Sequence, residues 1–338
     1  MIDSISRRDF LALAGATTLA SATTALARGP ASYPAPDREM VLPVPGGRVY
    51  VRINGDLRGS RPPLVMIHGG PGGSHAAFLD ALALADERAI ILYDQLDSGW
   101  SDKPGDPANW VVPRFVDELE AVRAGLGVRR WHVLGHSWGG TIALEYGARR
   151  PTALAGLVPS SALISTRSWL ADAAVLRGQM PAGPRETLTA CEAANPPVAE
   201  VCDEATRAFY SLYNRREVPT DGAIAYRNRQ HLQGTGPSLG KKLYETMWGK
   251  TEFVSTGTLK DYDGEPLLAR LDGRRTLFLC GQYDEARPET VRGFARRVPP
   301  SGAAFAEIPG AGHGTFSDQP AATLAVLRPW LTAQDQLG

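Results

Sequence analysis

The segment Gly135-His136-Ser137-Trp138-Gly139 places a nucleophile two positions from a glycine on either side. A serine attacks a carbonyl only if its Oγ stands clear of its own backbone, and a sharp turn from strand to helix achieves this. The turn crowds its flanks, which suits glycine at positions 135 and 139. A helix starting beneath Ser137 would bring backbone N–H groups and a partial positive charge to the place where an oxyanion forms. The bare pattern arises by chance in ordinary turns. Here it lies between an apolar run at 131–134 and a helical stretch at 139–149, the setting a nucleophile elbow requires.

Such a serine needs donors for the oxyanion. His68-Gly69-Gly70-Pro71-Gly72-Gly73 follows the apolar run 64–67, and the backbone N–H groups of Gly70 and Trp138 are expected to form the hole. A phosphate-cradling loop is the other use of such glycines, but no Lys-Ser or Lys-Thr follows them. The orienting acid is expected at the end of a later strand. Asp284, in Gly281-Gln282-Tyr283-Asp284-Glu285, stands just after the apolar run 276–280. Asp261 and Asp263 precede that strand and are expected to cap or shape a turn.

The base is expected last, and His313 in Gly310-Ala311-Gly312-His313-Gly314 follows the final strand-like run, 303–308. Among the other histidines, His68 and His136 belong to the two turns already described. His132 falls in a strand, His75 opens a helix, and His231 lies in a mid-chain insertion. Only His313 completes the order Ser…Asp…His of the α/β-hydrolase fold. In the expected chemistry His313 takes the proton of Ser137, Asp284 holds the imidazole tautomer, and water later cleaves the acyl-enzyme. No metal-binding motif and no dinucleotide fingerprint stands out, so neither a metal nor a cofactor is expected.

The elements that must position these residues follow from periodicity. Runs at 39–44 and 48–53 alternate as a hairpin turned at Pro45-Gly46-Gly47. Then come apolar strands at 64–67, 89–93, 131–134 and 154–158, separated by helices at 75–85, 113–124 and 139–149. Strand 276–280, helix 289–297, strand 303–308 and helix 319–331 resume the rhythm. Continuous apolar strands between helices predict a mostly parallel sheet covered on both faces. The core is expected at 28–160 and 256–338, with a helical cap inserted at 161–255.

The chain has 338 residues, 43% of them apolar, and 36 basic residues balance 36 acidic ones. That balance gives no argument for nucleic acid or an anionic membrane. Ser6-Arg7-Arg8-Asp9-Phe10-Leu11, a weakly apolar run and Ala25-Leu26-Ala27 form a twin-arginine export signal over 1–27. Gly15 and the polar Thr17, Thr18, Ser21, Thr23 and Thr24 make that run a poor membrane anchor, so a periplasmic or secreted protein is expected. Of three cysteines, Cys280 is expected in the core. Cys191 and Cys202 stand close enough in sequence to pair in an oxidising compartment, or to remain free.

Taken together, these segments resemble the proline iminopeptidases and the related tricorn-interacting aminopeptidase. The resemblance rests on His68-Gly69-Gly70-Pro71-Gly72, Asp94-Gln95 with Ser98-Gly99-Trp100-Ser101, and Gly135-His136-Ser137-Trp138-Gly139-Gly140. Glu252-Phe253, Thr256-Gly257-Thr258-Leu259-Lys260-Asp261 and Gly281-Gln282-Tyr283-Asp284-Glu285 extend it, so that it spans roughly 40–335. It implies that Glu252 and Glu285 hold the α-ammonium group of a substrate, with Tyr244 and Trp248 as candidate walls of a small apolar pocket. Read without it, Glu285 is an acid ahead of the helix-opening Pro288 and Glu252 a surface charge. Two departures stand out. Asp97 occupies a position where the family often has Gly, adding a negative charge near the mouth, and an export signal precedes a family that is commonly cytosolic.

The implied activity is release of an N-terminal proline or small apolar residue from a small peptide. The alternative is an amino-acid amide or ester hydrolase using the same anchors. A lipase-like or lactone hydrolase is a broader rival, whereas Ser137 argues against the carboxylate-nucleophile epoxide hydrolases. A non-catalytic binding protein would be expected to have lost Ser137 or His313. Oligomeric state is not legible.

Overall fold

Successive residues of the central strands point to opposite faces, and both faces are apolar. A computed structural model describes residues 32–193, 199–219, 221–232 and 240–337; the expected export segment 1–27 lies outside the described residues. In β3 (Leu64–Ile67), Val65 and Ile67 enter one core while Leu64 and Met66 enter the other. In β4 (Ile90–Tyr93), Ile91 and Tyr93 separate in the same way from Ile90 and Leu92. This alternation explains why these strands read as unbroken apolar runs.

Among the described residues the sheet has eight strands. β1 (Arg38–Val44), β2 (Gly47–Asn54), β5 (Trp131–His136), β6 (Leu154–Ser160), β7 (Leu277–Gly281) and β8 (Ala304–Ile308) complete it in the order β1-β2-β4-β3-β5-β6-β7-β8. The β1–β2 and β2–β4 pairs are antiparallel and all others parallel. The antiparallel hairpin turns at Gly46, whose φ of 91° favours a residue without a Cβ. The expected fold class, the α/β-hydrolase fold, is the one observed.

Helices α1 (Val112–Gly125), α2 (Trp138–Ala148) and α8 (Pro288–Arg296) supply one covering layer. The other is built by the segment His75–Asp86, α9 (Thr315–Asp318) and α10 (Pro320–Asp335). One expectation needs correction: the helix expected at 75–85 is a run of 3-10 turns. The terminal helix expected at 319–331 is present as α10, opened by Pro320 and separated at Gln319 from the short α9 before it. Proline lacks the N–H that a continuous helix would need there.

Between β6 and β7 lie α3 (Thr166–Gln179), α4 (Ala182–Ala193), α5 (Ala199–Tyr213), α6 (Asp221–Leu232) and α7 (Lys241–Met247). Phe209, Tyr213, Leu176, Met180, Leu188 and Phe253 form a core of their own there. A disulfide joins Cys191 of α4 to Cys202 of α5, while Cys280 is buried in β7 as expected. Closing so short a loop contributes about 3 kcal/mol in the chain-entropy view.

Candidate active site

Ser137 sits between β5 and α2 with φ 56° and ψ −122°, in the left-handed half of backbone space. A non-glycine residue held there costs roughly 1–3 kcal/mol and persists because its surroundings impose it. The glycines show how. A Cβ on Gly139 would strike the carbonyl oxygen of Ile67, and one on Gly140 would strike Ala162. The start of α2 is therefore pressed against β3 and the chain after β6.

The glycine loop lies against the same serine. A Cβ on Gly69 would come within 2.9 Å of Ser137 Cβ. Gly70 has φ 118° and Gly72 φ 90°, and Gly240 donates its N–H to the Gly72 carbonyl at 2.7 Å. Trp138 opens α2, so its N–H has no acceptor one turn earlier in the helix. The backbones of Gly70 and Trp138 thus both flank the Ser137 region, from the loop and from the helix end.

Asp284 and His313 come from the ends of β7 and β8. His313 Nδ1 lies 2.8 Å from Asp284 Oδ1. The acid is buried and well supplied with donors: Ser161 Oγ at 2.5 Å, the Gly281 N–H at 3.0 Å and the Ala286 N–H at 2.9 Å. Burial opposes its charge, but His313, Ser161 and these bonds hold its pKa below the ordinary carboxylate range. The His313 loop is clamped from the insertion, since the His313 and Gly314 N–H groups donate to the carbonyls of Tyr213 and Asn214 at 2.8 and 2.9 Å. Gly312 passes so close to that segment that a Cβ would meet Tyr213 O at 2.9 Å.

Two glutamates converge on the same imidazole. Glu285 Oε1 stands 3.5 Å from His313 Nε2, and Glu252 accepts a hydrogen bond from the Tyr244 hydroxyl. Burial raises the pKa of both, and their mutual repulsion raises Glu285 further. Glu285 is buried, takes a bond from Asn214 Nδ2 at 2.6 Å, and leaves Oε2 with no partner among the described residues. A buried acceptor without a donor is the feature that a cationic ligand would satisfy. Trp169 packs edge-on to His313 with ring centroids 5.5 Å apart, and edge-on to Trp248 at 6.3 Å.

With this geometry in view, the relatives are informative. The sequence model of the α/β hydrolase fold family matches residues 62–320. A proline iminopeptidase of Heyndrickxia coagulans is 33% identical over 300 residues, covering 87% of this chain and 99% of that one. Another, from Levilactobacillus brevis, is 34% identical over 305 residues, covering 89% and 98%. The crystal structure of the Mycobacterium smegmatis proline iminopeptidase superposes with a TM-score of 0.77 at 32% identity, covering 88% of this chain and 99% of its own. Coverage of this kind leaves no large segment of the relatives unmatched.

The chain belongs to the proline iminopeptidase family. It is a serine hydrolase of the aminopeptidase type.

Within that family, this member's Asp97 reads differently in three dimensions than in one. The expected extra charge near the mouth is buried, with φ 65°, and its two oxygens accept from the Gly105 N–H at 2.7 Å and from Trp110 Nε1 at 2.8 Å. It shapes the loop after β4 and presents no free charge. Asp263 accepts the Glu265 N–H at 3.0 Å and Asp261 pairs with Lys260, so both remain outside the His313 cluster. The wall expected of Tyr244 is also a polar handle, since its hydroxyl is spent on Glu252.

Several contributors were not foreseen. Ser161 and Asn214 hold Asp284 and Glu285 from a strand end and a helix end, and neither carried a motif. Gln95 was noted as part of the Asp94-Gln95 pair without a role; its carboxamide lies between His68 and Trp138. His136 packs against His313 with ring centroids 4.5 Å apart and planes tilted by 48°, and burial with the charge of His313 pushes it down to about 3, leaving it neutral beside the base.

Proposed function

We propose that this enzyme releases an N-terminal proline or small apolar residue from short peptides through an acyl-enzyme on Ser137. The observation that carries the reading is the pair Glu252 and Glu285 beside His313, one with a buried oxygen lacking a donor. An α-ammonium group placed there satisfies that oxygen and brings the adjacent carbonyl to Ser137. Blocked substrates would leave buried carboxylates unpaired, which rejects them.

In this reading His313 Nε2 takes the proton of Ser137 while Oγ bonds to the carbonyl carbon. Gly70 and Trp138 N–H groups receive the oxyanion, each such donor lowering the barrier by about 2.7–4 kcal/mol. His313 then passes its proton to the leaving amine as the C–N bond breaks. A water, deprotonated by the same nitrogen, cleaves the ester and restores Ser137. The insertion acts as a cap that carries Glu252 and shapes the pocket. Export by the 1–27 signal belongs to the same proposal, and the Cys191–Cys202 bridge supports it because such bonds persist in oxidising compartments.

The experiment compares mature protein on prolyl-, alanyl- and N-acetylprolyl-arylamides, with Ser137→Ala as control. Cleavage of the free-amine compounds alone, abolished in Ser137→Ala, is the expected result. Equal turnover of the acetylated compound would replace the aminopeptidase reading with a general amidase or esterase. Glu252→Gln should depress the free-amine reactions far more than hydrolysis of p-nitrophenyl acetate.

A further inference from the structure

His313 faces a different carboxylate on each nitrogen. Asp284 takes Nδ1 at 2.8 Å, and Glu285 Oε1 stands 3.5 Å from Nε2. Nε2 is the atom that must be free of a proton to accept one from Ser137. Glu285 is buried, and among the described residues it takes one hydrogen bond, from Asn214, with Oε2 left unpartnered. The ionisable nitrogen that stands against this carboxylate is that of the base itself.

We propose that in the empty site Glu285 and His313 hold a proton between them on the Nε2 side, keeping the base switched off, and that the substrate's ammonium group displaces this proton to solvent and switches it on. This rests on the reading of Glu285 as the amine anchor and gives that anchor a second role. Glu285 then selects free-amine substrates through turnover as well as through binding, because an N-blocked substrate meets a base that is still protonated.

The groups around His313 agree. Burial opposes the imidazolium, but Glu285, Asp284 and Glu252 outweigh it and push His313 up to about 9. Burial raises Glu285 as well, so the pair as a whole is reluctant to lose its proton. From β5, His136 is neutral, with burial as the main cause and the charges of His313 and Arg215 adding to it. From the cap, Tyr210 and Tyr244 are raised by burial and by Glu252, and stay neutral. Trp169 brings an aromatic edge and no charge. An ammonium ion set among these carboxylates offsets part of their field at Nε2 and favours loss of its proton. Each lowering of the imidazole by one pH unit gives tenfold more neutral base in the range below its titration.

The test uses p-nitrophenyl acetate, which has no ammonium group, corrected for uncatalysed hydrolysis. For the wild type, kcat/KM is expected to rise along a limb centred near pH 9. Glu285→Gln should move that limb down by at least one pH unit and raise acetate hydrolysis at pH 7 about tenfold, while prolyl-arylamide cleavage falls. Methylammonium chloride, against sodium chloride at equal ionic strength, should stimulate wild-type acetate hydrolysis severalfold at pH 7 and leave Glu285→Gln unchanged. A limb that stays in place in the variant, or a wild type indifferent to methylammonium, overturns the switch. If Glu285→Gln does not fold, the methylammonium measurement on the wild type decides alone. Loss of the switch with free-amine preference intact leaves the anchor standing, whereas equal cleavage of acetylated and free substrates removes the anchor itself.

Discussion

The indole N–H of Trp138 donates to Gln95 Oε1 at 2.9 Å, and Nε2 of the same carboxamide donates to the His68 carbonyl at 2.8 Å. A single fully buried side chain thus ties the residue after Ser137 to the residue that opens the glycine loop. The Gln95 N–H completes the clamp by donating to His68 Nε2 at 3.0 Å. Both expected oxyanion donors, Gly70 and Trp138, sit within two residues of this clamp, which accounts physically for Asp94-Gln95 occurring with the glycine loop.

Replacing Gln95 with Leu keeps the volume and removes both side-chain bonds. We expect kcat on a prolyl-arylamide to fall roughly 10–100-fold with KM changed little, because misplaced donors weaken the transition state more than the ground state. Stability should drop by about 1–3 kcal/mol, since two buried polar groups lose their partners. Steady-state kinetics beside thermal unfolding separates the two effects. A lowered Tm with kcat unchanged would make Gln95 purely structural.

Asp97 gives a contrasting expectation. Among the described residues its carboxylate bonds to the Gly105 N–H and to Trp110, so Asp97→Ala should destabilise the fold by about 1–3 kcal/mol while changing the ratio of prolyl- to N-acetylprolyl-arylamide cleavage little. A large change in that ratio would mean the charge is felt by substrate after all. Chemical denaturation and the two substrates provide the check.

Asp335 near the end of α10 accepts from His132 Nε2 at 2.9 Å and from both terminal nitrogens of Arg88, at 3.1 and 2.9 Å. Burial works against its charge, but these partners hold it down at about 2. A carboxylate with a folded pKa below its unfolded value stabilises above the unfolded value, near 4, and loses that contribution as pH falls toward the folded one. The Tm advantage of wild type over Asp335→Asn should therefore be full at pH 6 and shrink between pH 4 and pH 2. A difference that stays constant across that range would show that the charge is not what matters.

Much of this protein is legible along the chain because its signals are local. An elbow announces itself in five residues, and a buried parallel strand in a run of four or five apolar ones. The order of Ser137, Asp284 and His313 follows from where strands end. The 3-10 character of His75–Asp86 was not legible, since apolar spacing over that length does not distinguish the two kinds of turn. The burial of Asp97 was missed for a related reason: its partners Gly105 and Trp110 are set by a loop path that no periodicity records.

The sequence alone determined the candidate nucleophile, acid and base, the glycine loop and the family, because each depends on residue type at short spacing. Only the tertiary structure decided how these groups are tuned. Asn214, at the end of α5, uses its side chain to hold Glu285 and its carbonyl to hold the loop of His313, although 71 residues separate it from the first in sequence. Electrostatics in a buried site depends on distances of a few ångströms between segments that the chain brings together only on folding, and no local pattern encodes them.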